Sequence, residues 1–216
     1  MKNLVVGTFL TLDGVMQAPG GPEEDRSGGF QFGGWMVPYV DDTLLQIMID
    51  WIRNADGLLL GRKTYEIFAG HWPHIPDDDP IAAKFNRVRK YVASKTLDRL
   101  SWTNSSLLRG DIVEGIRELK NGSGGELQVH GSGNLIQTLL RNDLVDEFRI
   151  WTFPLVLGTG KRLFAEGTVP AGFKLAETRA VGSGAVLQVL DRSEKPTYGG
   201  SVEEIKRRKK VSTSMV

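Results

Sequence analysis

The sequence predicts an α/β protein with a mostly parallel central sheet, helices on both faces and an antiparallel carboxyl-terminal edge. Short apolar, β-branched runs alternate with segments whose apolar residues recur at helical spacing. Such alternation implies right-handed crossovers between parallel strands. The last two apolar runs, residues 173–178 and 185–190, have no helix between them. They therefore predict an antiparallel edge.

The first elements follow from local pattern. Residues 3–12 are apolar and β-branched and predict a buried strand. Asp41 and Asp42 favour a helix start, because acidic residues in the first turn suit the helix dipole. Residues 44–51 carry apolar side chains at helical spacing. The stretch between, residues 13–38, is rich in glycine and proline, and a loop of that length in a compact domain indicates a functional segment or disorder.

The remaining elements alternate in the same way. Strands are predicted over residues 57–61, 90–94, 106–108, 126–130 and 146–153, with helices over residues 63–69, 112–121 and 135–142.

Length and composition indicate one globular domain over residues 1–192. The chain has 216 residues, 40% of them hydrophobic, and no cysteine, which excludes disulfides and thiolate metal sites. The three histidines form no metal set, so we expect no metal. The apolar run after Lys2 is too short for a signal peptide and no stretch reaches the ~20 apolar residues of a membrane span. We therefore expect a cytoplasmic protein without membrane contact.

Charge is unevenly distributed. Residues 193–216 hold six basic and three acidic side chains, so this predicted flexible tail carries about +3 and the body about −2. A near-neutral body argues against a nucleic-acid-binding surface on the domain. The basic run at residues 206–210 leaves two interpretations open, a solvated tail or a contact with RNA or anionic lipid.

Two turns each follow a predicted strand and open a predicted helix. In such sheets ligands lie at the carboxyl ends of strands, where helix N-termini point unpaired N–H groups outward and glycine permits close backbone approach. Cations and hydroxyls in these turns would suit phosphates. The alternative is a simple helix-entry turn with a solvated first turn. The residues are Gly61, Arg62, Lys63 and Thr64 in the first turn and Gly131, Ser132, Gly133 and Asn134 in the second.

Taken in order, these segments make the chain resemble the dihydrofolate-reductase-like superfamily. Within it the resemblance is to the reductase domain of the bacterial bifunctional riboflavin-biosynthesis deaminase-reductase, and it covers about residues 3–190. The matching segments are Thr11-Leu12-Asp13-Gly14, Gly61-Arg62-Lys63-Thr64-Tyr65-Glu66, Val92-Ala93-Ser94, Gly131-Ser132-Gly133 and Pro154-Leu155-Val156-Leu157-Gly158-Thr159-Gly160.

The resemblance implies a three-layer dihydrofolate-reductase-like fold, an NADPH cofactor and a homodimer. Arg62 would meet the ribose 2′-phosphate and Thr64 the pyrophosphate. Ser94 and Lys95 would lie near the adenosine phosphate. Residues 131–134 would form the second pyrophosphate cradle, and the loop after Asp13 would be a lid over the nicotinamide.

On the substrate side the residues leave alternatives open. Asp42, or Asp41, corresponds to the first-helix carboxylate of dihydrofolate reductases or is simply a helix-start acid. Trp35 stacks on a flat heterocycle or anchors the loop. Asp13 serves the site or completes a tight turn. His130 is interpreted as structural or pocket-lining. Arg162 binds an anionic group or forms a surface salt bridge.

The resulting hypothesis is an NADPH-dependent reductase that transfers a hydride to a small nitrogen heterocycle or its sugar arm. The substrate would be of the riboflavin-pathway type, 5-amino-6-(5-phosphoribosylamino)uracil, or of the dihydrofolate type. The first alternative is a non-catalytic dinucleotide-binding protein with the same fold, since fold alone does not establish turnover. A second makes the basic tail a nucleic-acid contact.

Overall fold

The computed structural model describes residues 1–203, and within them eight strands form a single sheet. The basic run at residues 206–210 lies outside the described residues. The strands are β1 (Leu4–Thr11), β2 (Ala55–Gly61), β3 (Arg89–Ala93), β4 (Ser105–Leu107), β5 (Glu126–His130), β6 (Glu147–Phe153), β7 (Phe173–Ala180) and β8 (Val186–Arg192). The α-helices are α1 (Asp42–Arg53), α2 (Arg62–His71), α3 (Pro80–Arg87), α4 (Ile112–Asn121) and α5 (Gly133–Arg141).

The sheet runs in the order β4-β3-β2-β5-β1-β6-β8-β7. The first six strands in this order, from β4 through β6, are parallel to one another. Strand β8 is antiparallel to both of its neighbours, β6 and β7. The predicted fold class, with its antiparallel edge, is therefore confirmed. A five-residue turn joins β7 to β8, closed by the Val181 N–H bond to Ala185 O, with Gly184 at φ +84° where only glycine is unstrained.

Helices cover both faces of the sheet. On β2 the side chain of Leu59 packs with α4 and α5, whereas Leu58 and Leu60 pack with α1 to α3. This alternation follows from the two-residue period of a strand buried on both sides. No helix in the described part of the chain is long and apolar enough to cross a membrane.

Lys90 of β3 is a fully buried amine without a carboxylate partner among residues 1–203. Its Nζ donates to Phe85 O at 2.9 Å and Asn86 O at 3.0 Å and lies 4.3 Å from the Trp102 ring centroid. Burial lowers the pKa of Lys90 from 10.5 to about 8.

We expect Lys90 to make the fold more stable as pH rises from about 8 to 10.5. Over that range the unfolded chain binds a proton at this amine that the folded chain has released, so the free energy of unfolding increases with pH. Urea titrations of the wild type and Lys90→Met at pH 8 and 10 measure the difference. An equal pH dependence in both proteins would contradict the assignment.

Candidate functional site

A large cleft opens at the carboxyl ends of β2, β3 and β5 and beside β1, where α2 and α5 begin. Its volume is about 1850 Å³, above the ~300–1,000 Å³ of an ordinary small-molecule pocket. All ten residues predicted to bind the cofactor line it: Gly61, Arg62, Lys63, Thr64, Ser94, Lys95, Gly131, Ser132, Gly133 and Asn134. The space therefore suits a ligand longer than a single heterocycle.

The helices that begin at the cleft differ from the others in how they are capped. Helices α1, α3 and α4 each begin with an aspartate whose carboxylate accepts backbone N–H groups of the first turn, Asp41, Asp79 and Asp111 respectively. Helices α2 and α5 begin at Gly61 and Ser132 without a side-chain cap. Their first N–H groups stay available, and such groups favour an anion.

A short hydrogen-bond relay joins these two uncapped helix starts. Gly61 N donates to Ser132 Oγ at 2.9 Å, and Ser132 Oγ donates to Thr64 Oγ1 at 2.6 Å. Because Ser132 donates its hydroxyl proton to Thr64 Oγ1, the Thr64 hydroxyl can donate its own proton to another acceptor. Ser132 adopts a left-handed backbone, φ +67°, and so does Gly131, at +68°. The relay fixes both helix starts against each other beside one opening.

The basic side chains predicted to bind phosphate, Arg62, Lys63 and Lys95, line the cleft and are exposed. Arg62 is exposed and pairs with Glu66 one turn on, at 3.2 Å. Such an exposed pair contributes little and is readily exchanged for a ligand phosphate. The Ser94 hydroxyl accepts the N–H groups of Thr96 and Leu97, so it orders the turn after β3. Lys95 beside it is exposed.

The long loop covers one side of the cleft and is fastened at its base. Residues 16–25 line the cleft. Gln17 Oε1 accepts Lys161 N at 3.0 Å, Lys161 Nζ pairs with Asp25, and Arg162 Nε donates to Asp13 O at 2.8 Å. We name residues 13–38 the lid. Arg162 is thus part of the lid's base and also lines the cleft.

Asp13 lies in this fastening and does not line the cleft. Its carboxylate accepts the Thr11 hydroxyl at 2.5 Å, Gly158 N at 2.8 Å and Leu157 N at 3.3 Å. The Thr11 hydroxyl contributes most to lowering the pKa of Asp13 to about 2. A carboxylate so fully ionised is a poor proton donor at neutral pH, and its geometry is that of a structural acceptor.

The other two residues predicted on the substrate side also lie outside the cleft lining. Asp42 is exposed in the first turn of α1, and its neighbour Asp41 is the helix cap and also accepts Ser183 N at 3.0 Å. Trp35 belongs to the lid and is buried under its other residues, where its indole N–H donates to Gln17 O at 2.8 Å and its ring meets Phe153 edge-on. The geometry therefore favours the anchor interpretation of Trp35 and the helix-start interpretation of Asp42.

The end of the cleft nearest α1 is apolar and aromatic. Phe9, Met48, Trp51 and Trp151 line it. The Trp151 indole nitrogen is buried and has no hydrogen-bond partner among the described residues, nor has that of Trp72, which also lines the cleft. A buried N–H without an acceptor is costly and calls for an explanation. The flat aromatic walls fit an aromatic ring.

Glu24 and His130 line the cleft but were not among the residues predicted to form the site. Glu24 of the lid accepts the N–H groups of Gly20 and Gly21, and burial raises the pKa of its carboxyl. Nothing local marks it within the glycine-rich loop. His130, predicted as structural or pocket-lining, ends β5 and does line the cleft, and burial lowers its pKa to about 4. The sequence feature that could have identified His130 is the alternation of polar residues at 126, 128 and 130 in an otherwise apolar strand.

Known proteins are similar to this chain in sequence and in fold. The chain is 27% identical over 188 residues to the uncharacterized protein YyaP of Bacillus subtilis (strain 168), covering 86% of this chain and 92% of that one. A putative riboflavin biosynthesis protein from Shewanella sp. PV-4 superposes with a TM-score of 0.66 at 23% identity, over 89% and 99% of the two chains.

A two-activity protein has the same fold in one part of its chain. It is the diaminohydroxyphosphoribosylaminopyrimidine deaminase/5-amino-6-(5-phosphoribosylamino)uracil reductase of Thermotoga maritima, with a TM-score of 0.61 at 15% identity. The match covers 89% of this chain and 57% of that one. The family model described as the RibD C-terminal domain matches residues 2–187. The resemblance read from the motifs is thereby confirmed, and the chain belongs to the RibD C-terminal domain family, a reductase family of the riboflavin-pathway type.

Proposed function

We propose that this protein is an NADPH-dependent reductase of a small nitrogen heterocycle or its sugar arm. The observation that carries the proposal is the pair of uncapped helix starts, joined by Ser132 and Thr64, beside an aromatic-walled cleft. The substrate would be of the 5-amino-6-(5-phosphoribosylamino)uracil type, as in the reductase activity named for the Thermotoga maritima protein, or of the dihydrofolate type.

The residues present fit a nicotinamide dinucleotide phosphate. The first N–H groups of α2 and α5 and the Thr64 hydroxyl would bind the pyrophosphate, because within residues 1–203 no side chain caps these helices and the hydroxyl accepts from Ser132 rather than donating to it. Arg62 and Lys63 would bind the 2′-phosphate, with Ser94 and Lys95 nearby. When bound, the cofactor supplies a hydride to a C=N or C=O group of the substrate.

The protein's own contribution is positioning and exclusion of water. The lid, fastened through Asp13, Gln17 and Arg162, would keep solvent from the aromatic end of the cleft. The reduced product also needs a proton. Glu24 is the carboxyl of the lining whose pKa burial raises, so we assign proton supply to Glu24 or to a water beside it rather than to Asp42.

We extend the proposal to a cytoplasmic homodimer, supported by the family resemblance. The loop after β6 exposes two apolar side chains, Val156 and Phe164, of the kind that a second copy would cover.

NADPH binding tests the proposal at its base. Arg62→Ala is expected to weaken NADPH binding by about 1.5–3 kcal/mol, or about 10- to 150-fold, because it removes a charged phosphate contact, and to change NADH binding little. Fluorescence titration of both cofactors measures it. Arg117→Ala is the matched control, since Arg117 is an equally exposed arginine paired with Glu114 outside the cleft lining.

The outcomes separate clearly. Wild-type protein that shows no NADPH binding at high concentration would exclude the cofactor. Tight binding without oxidation of NADPH by either substrate type would instead favour the non-catalytic alternative. Equal losses in Arg62→Ala and Arg117→Ala would remove Arg62 from the site.

A further inference from the structure

A line of polar side chains crosses one face of the sheet and ends at the cleft. Arg149 of β6 donates to Glu126 of β5 through two nitrogens, at 2.7 and 3.0 Å. Gln128 Nε2 donates to Glu126 Oε2 at 2.6 Å, and Gln128 Oε1 lies 3.1 Å from His130 Nε2. Residues 126, 128 and 130 share a face because a strand has a two-residue period. The line connects a mostly buried ion pair to a cleft-lining histidine.

The neighbours of Gln128 fix which way its amide faces. Its nitrogen donates to two oxygens, Trp51 O at 2.7 Å and Glu126 Oε2. Both are acceptors, so the amide NH₂ must face them and the amide oxygen must face His130. An oxygen only accepts. His130 therefore carries its proton on Nε2.

His130 stays neutral over the physiological range, which leaves its other nitrogen bare. Burial, together with the positive charge of Arg149, lowers its pKa to about 4, and the carboxylate of Glu126 opposes that shift only in part. A neutral imidazole holds one proton. Because that proton is on Nε2, Nδ1 is a hydrogen-bond acceptor.

The Nδ1 edge of the ring faces Gly7 on the neighbouring strand β1, where a side-chain carbon would lie 3.7 Å from Nδ1. Because Gly7 has no side chain, none fills the space beside this edge, and both residues line the cleft. Phe68 and Phe85 pack on the ring at centroid distances of 6.4 and 5.2 Å and hold its plane. No donor among residues 1–203 bonds Nδ1.

We propose that His130 is a substrate-binding residue whose Nδ1 accepts a hydrogen bond from a ring N–H of a flat nitrogen heterocycle, with Gln128 as the positioning residue that sets the tautomer. The proposal rests on the proposed reductase function. It names the chemistry that the cleft selects, a heterocycle with an unsubstituted ring N–H. Apolar walls alone reject an N-methylated analogue weakly, whereas an acceptor left without its donor rejects it strongly.

The tautomer is tested without any ligand. Nitrogen-15 NMR of the imidazole between pH 5 and 8 is expected to show a protonated Nε2 and an unprotonated Nδ1 throughout. Gln128→Met, which removes the amide, is expected to give a mixture of tautomers. A protonated Nδ1 in the wild type, or an unchanged tautomer in Gln128→Met, would overturn the assignment.

The binding role is tested with two probes, 5,6-diaminouracil and its 1,3-dimethyl derivative, on protein saturated with NADPH. The wild type is expected to prefer the unmethylated ring by about tenfold or more, since methylation leaves Nδ1 unpaired. His130→Phe keeps a flat ring in contact with Phe68 and Phe85 and is expected to lose the preference. His130→Asn places an amide oxygen near the position of Nδ1 and is expected to retain it.

NADPH titration of each variant separates the two levels of inference. If NADPH does not bind to the wild type, the reductase proposal fails and this inference fails with it. If NADPH binds normally and the methylated probe binds equally well, or His130→Phe keeps the preference, only the assignment of His130 is overturned.

Discussion

Gly61→Ala is expected to weaken NADPH binding at least tenfold while the chain still folds. A side-chain carbon at Gly61 would lie 2.9 Å from Ser132 Oγ and 3.1 Å from Ser132 Cβ, closer than non-bonded atoms approach. The backbone of Gly61 is ordinary, φ −75°, so the effect is steric. Ser132 must move, and its hydrogen bonds to Gly61 and Thr64 are lost with it. The starts of α2 and α5, which we propose to bind the pyrophosphate, then separate.

Fluorescence titration with NADPH measures the loss, and urea unfolding shows that the fold persists. Overpacking of this kind costs about 1–3 kcal/mol of stability. Gly115→Ala is the control, because its new carbon would meet Leu108 at an ordinary 3.8 Å in the interior of α4. That change is expected to stabilise by about 0.5–1 kcal/mol and leave NADPH binding unaltered. Wild-type affinity in Gly61→Ala would show that the relay has no part in binding.

The elements of the fold were predictable where each had its own local pattern. Buried parallel strands are short apolar runs, and α4 and β5 occur at residues 112–121 and 126–130 as predicted. Helix α3 was missed, although Asp79 followed by Pro80 is a cap and a first-turn proline. Its eight residues follow an acidic, proline-containing stretch that is also typical of a turn. The order of strands was not predictable, because pairing joins segments far apart in sequence.

The same distinction applies to the site. The two glycine turns were recognisable because strand, turn and helix are contiguous there. The Ser132–Thr64 bond spans 68 positions, so nothing local indicates it. Asp41 caps α1 and Asp42 is its first residue. The sequence could not tell which of these adjacent aspartates is the cap, because element boundaries are uncertain by a residue or more. The lid gave no sign of whether Trp35 faces the ligand or the core, since both positions suit an aromatic ring.

Arg149→Met is expected to lower the free energy of unfolding by about 3–5 kcal/mol, the largest loss that we predict for stability. The Arg149 guanidinium pairs with Glu126 at 2.7 Å and Glu147 at 2.5 Å, and all three side chains are mostly buried. Without the arginine two buried carboxylates have no counter-charge. Urea unfolding at pH 7 measures the loss, and Arg117→Ala, which breaks an exposed pair, is expected to change stability by less than about 1 kcal/mol.

The pH dependence of the variant follows from the same charges. Burial already raises the pKa of Glu147, and loss of Arg149 removes a positive charge that opposes that rise. Above the ordinary pKa of 4.5 the folded variant then holds more protons than the unfolded chain, so its stability falls as pH rises. The deficit against the wild type should therefore shrink between pH 7 and 5. A deficit independent of pH would point to lost packing rather than unpaired charge.

Replacing the carboxylates as well separates stability from positioning. In Arg149→Met combined with Glu126→Gln and Glu147→Gln these three positions carry no buried charge, and such replacements often recover most of the stability. The variant also loses the carboxylate that orients the Gln128 amide, and through it the proton of His130. Recovered stability with a mixed His130 tautomer would mean that the ion pair serves the geometry of the cleft. Recovered stability with the Nε2 proton still fixed would mean that Trp51 O suffices to hold the amide, and that Arg149 only neutralises its two carboxylates.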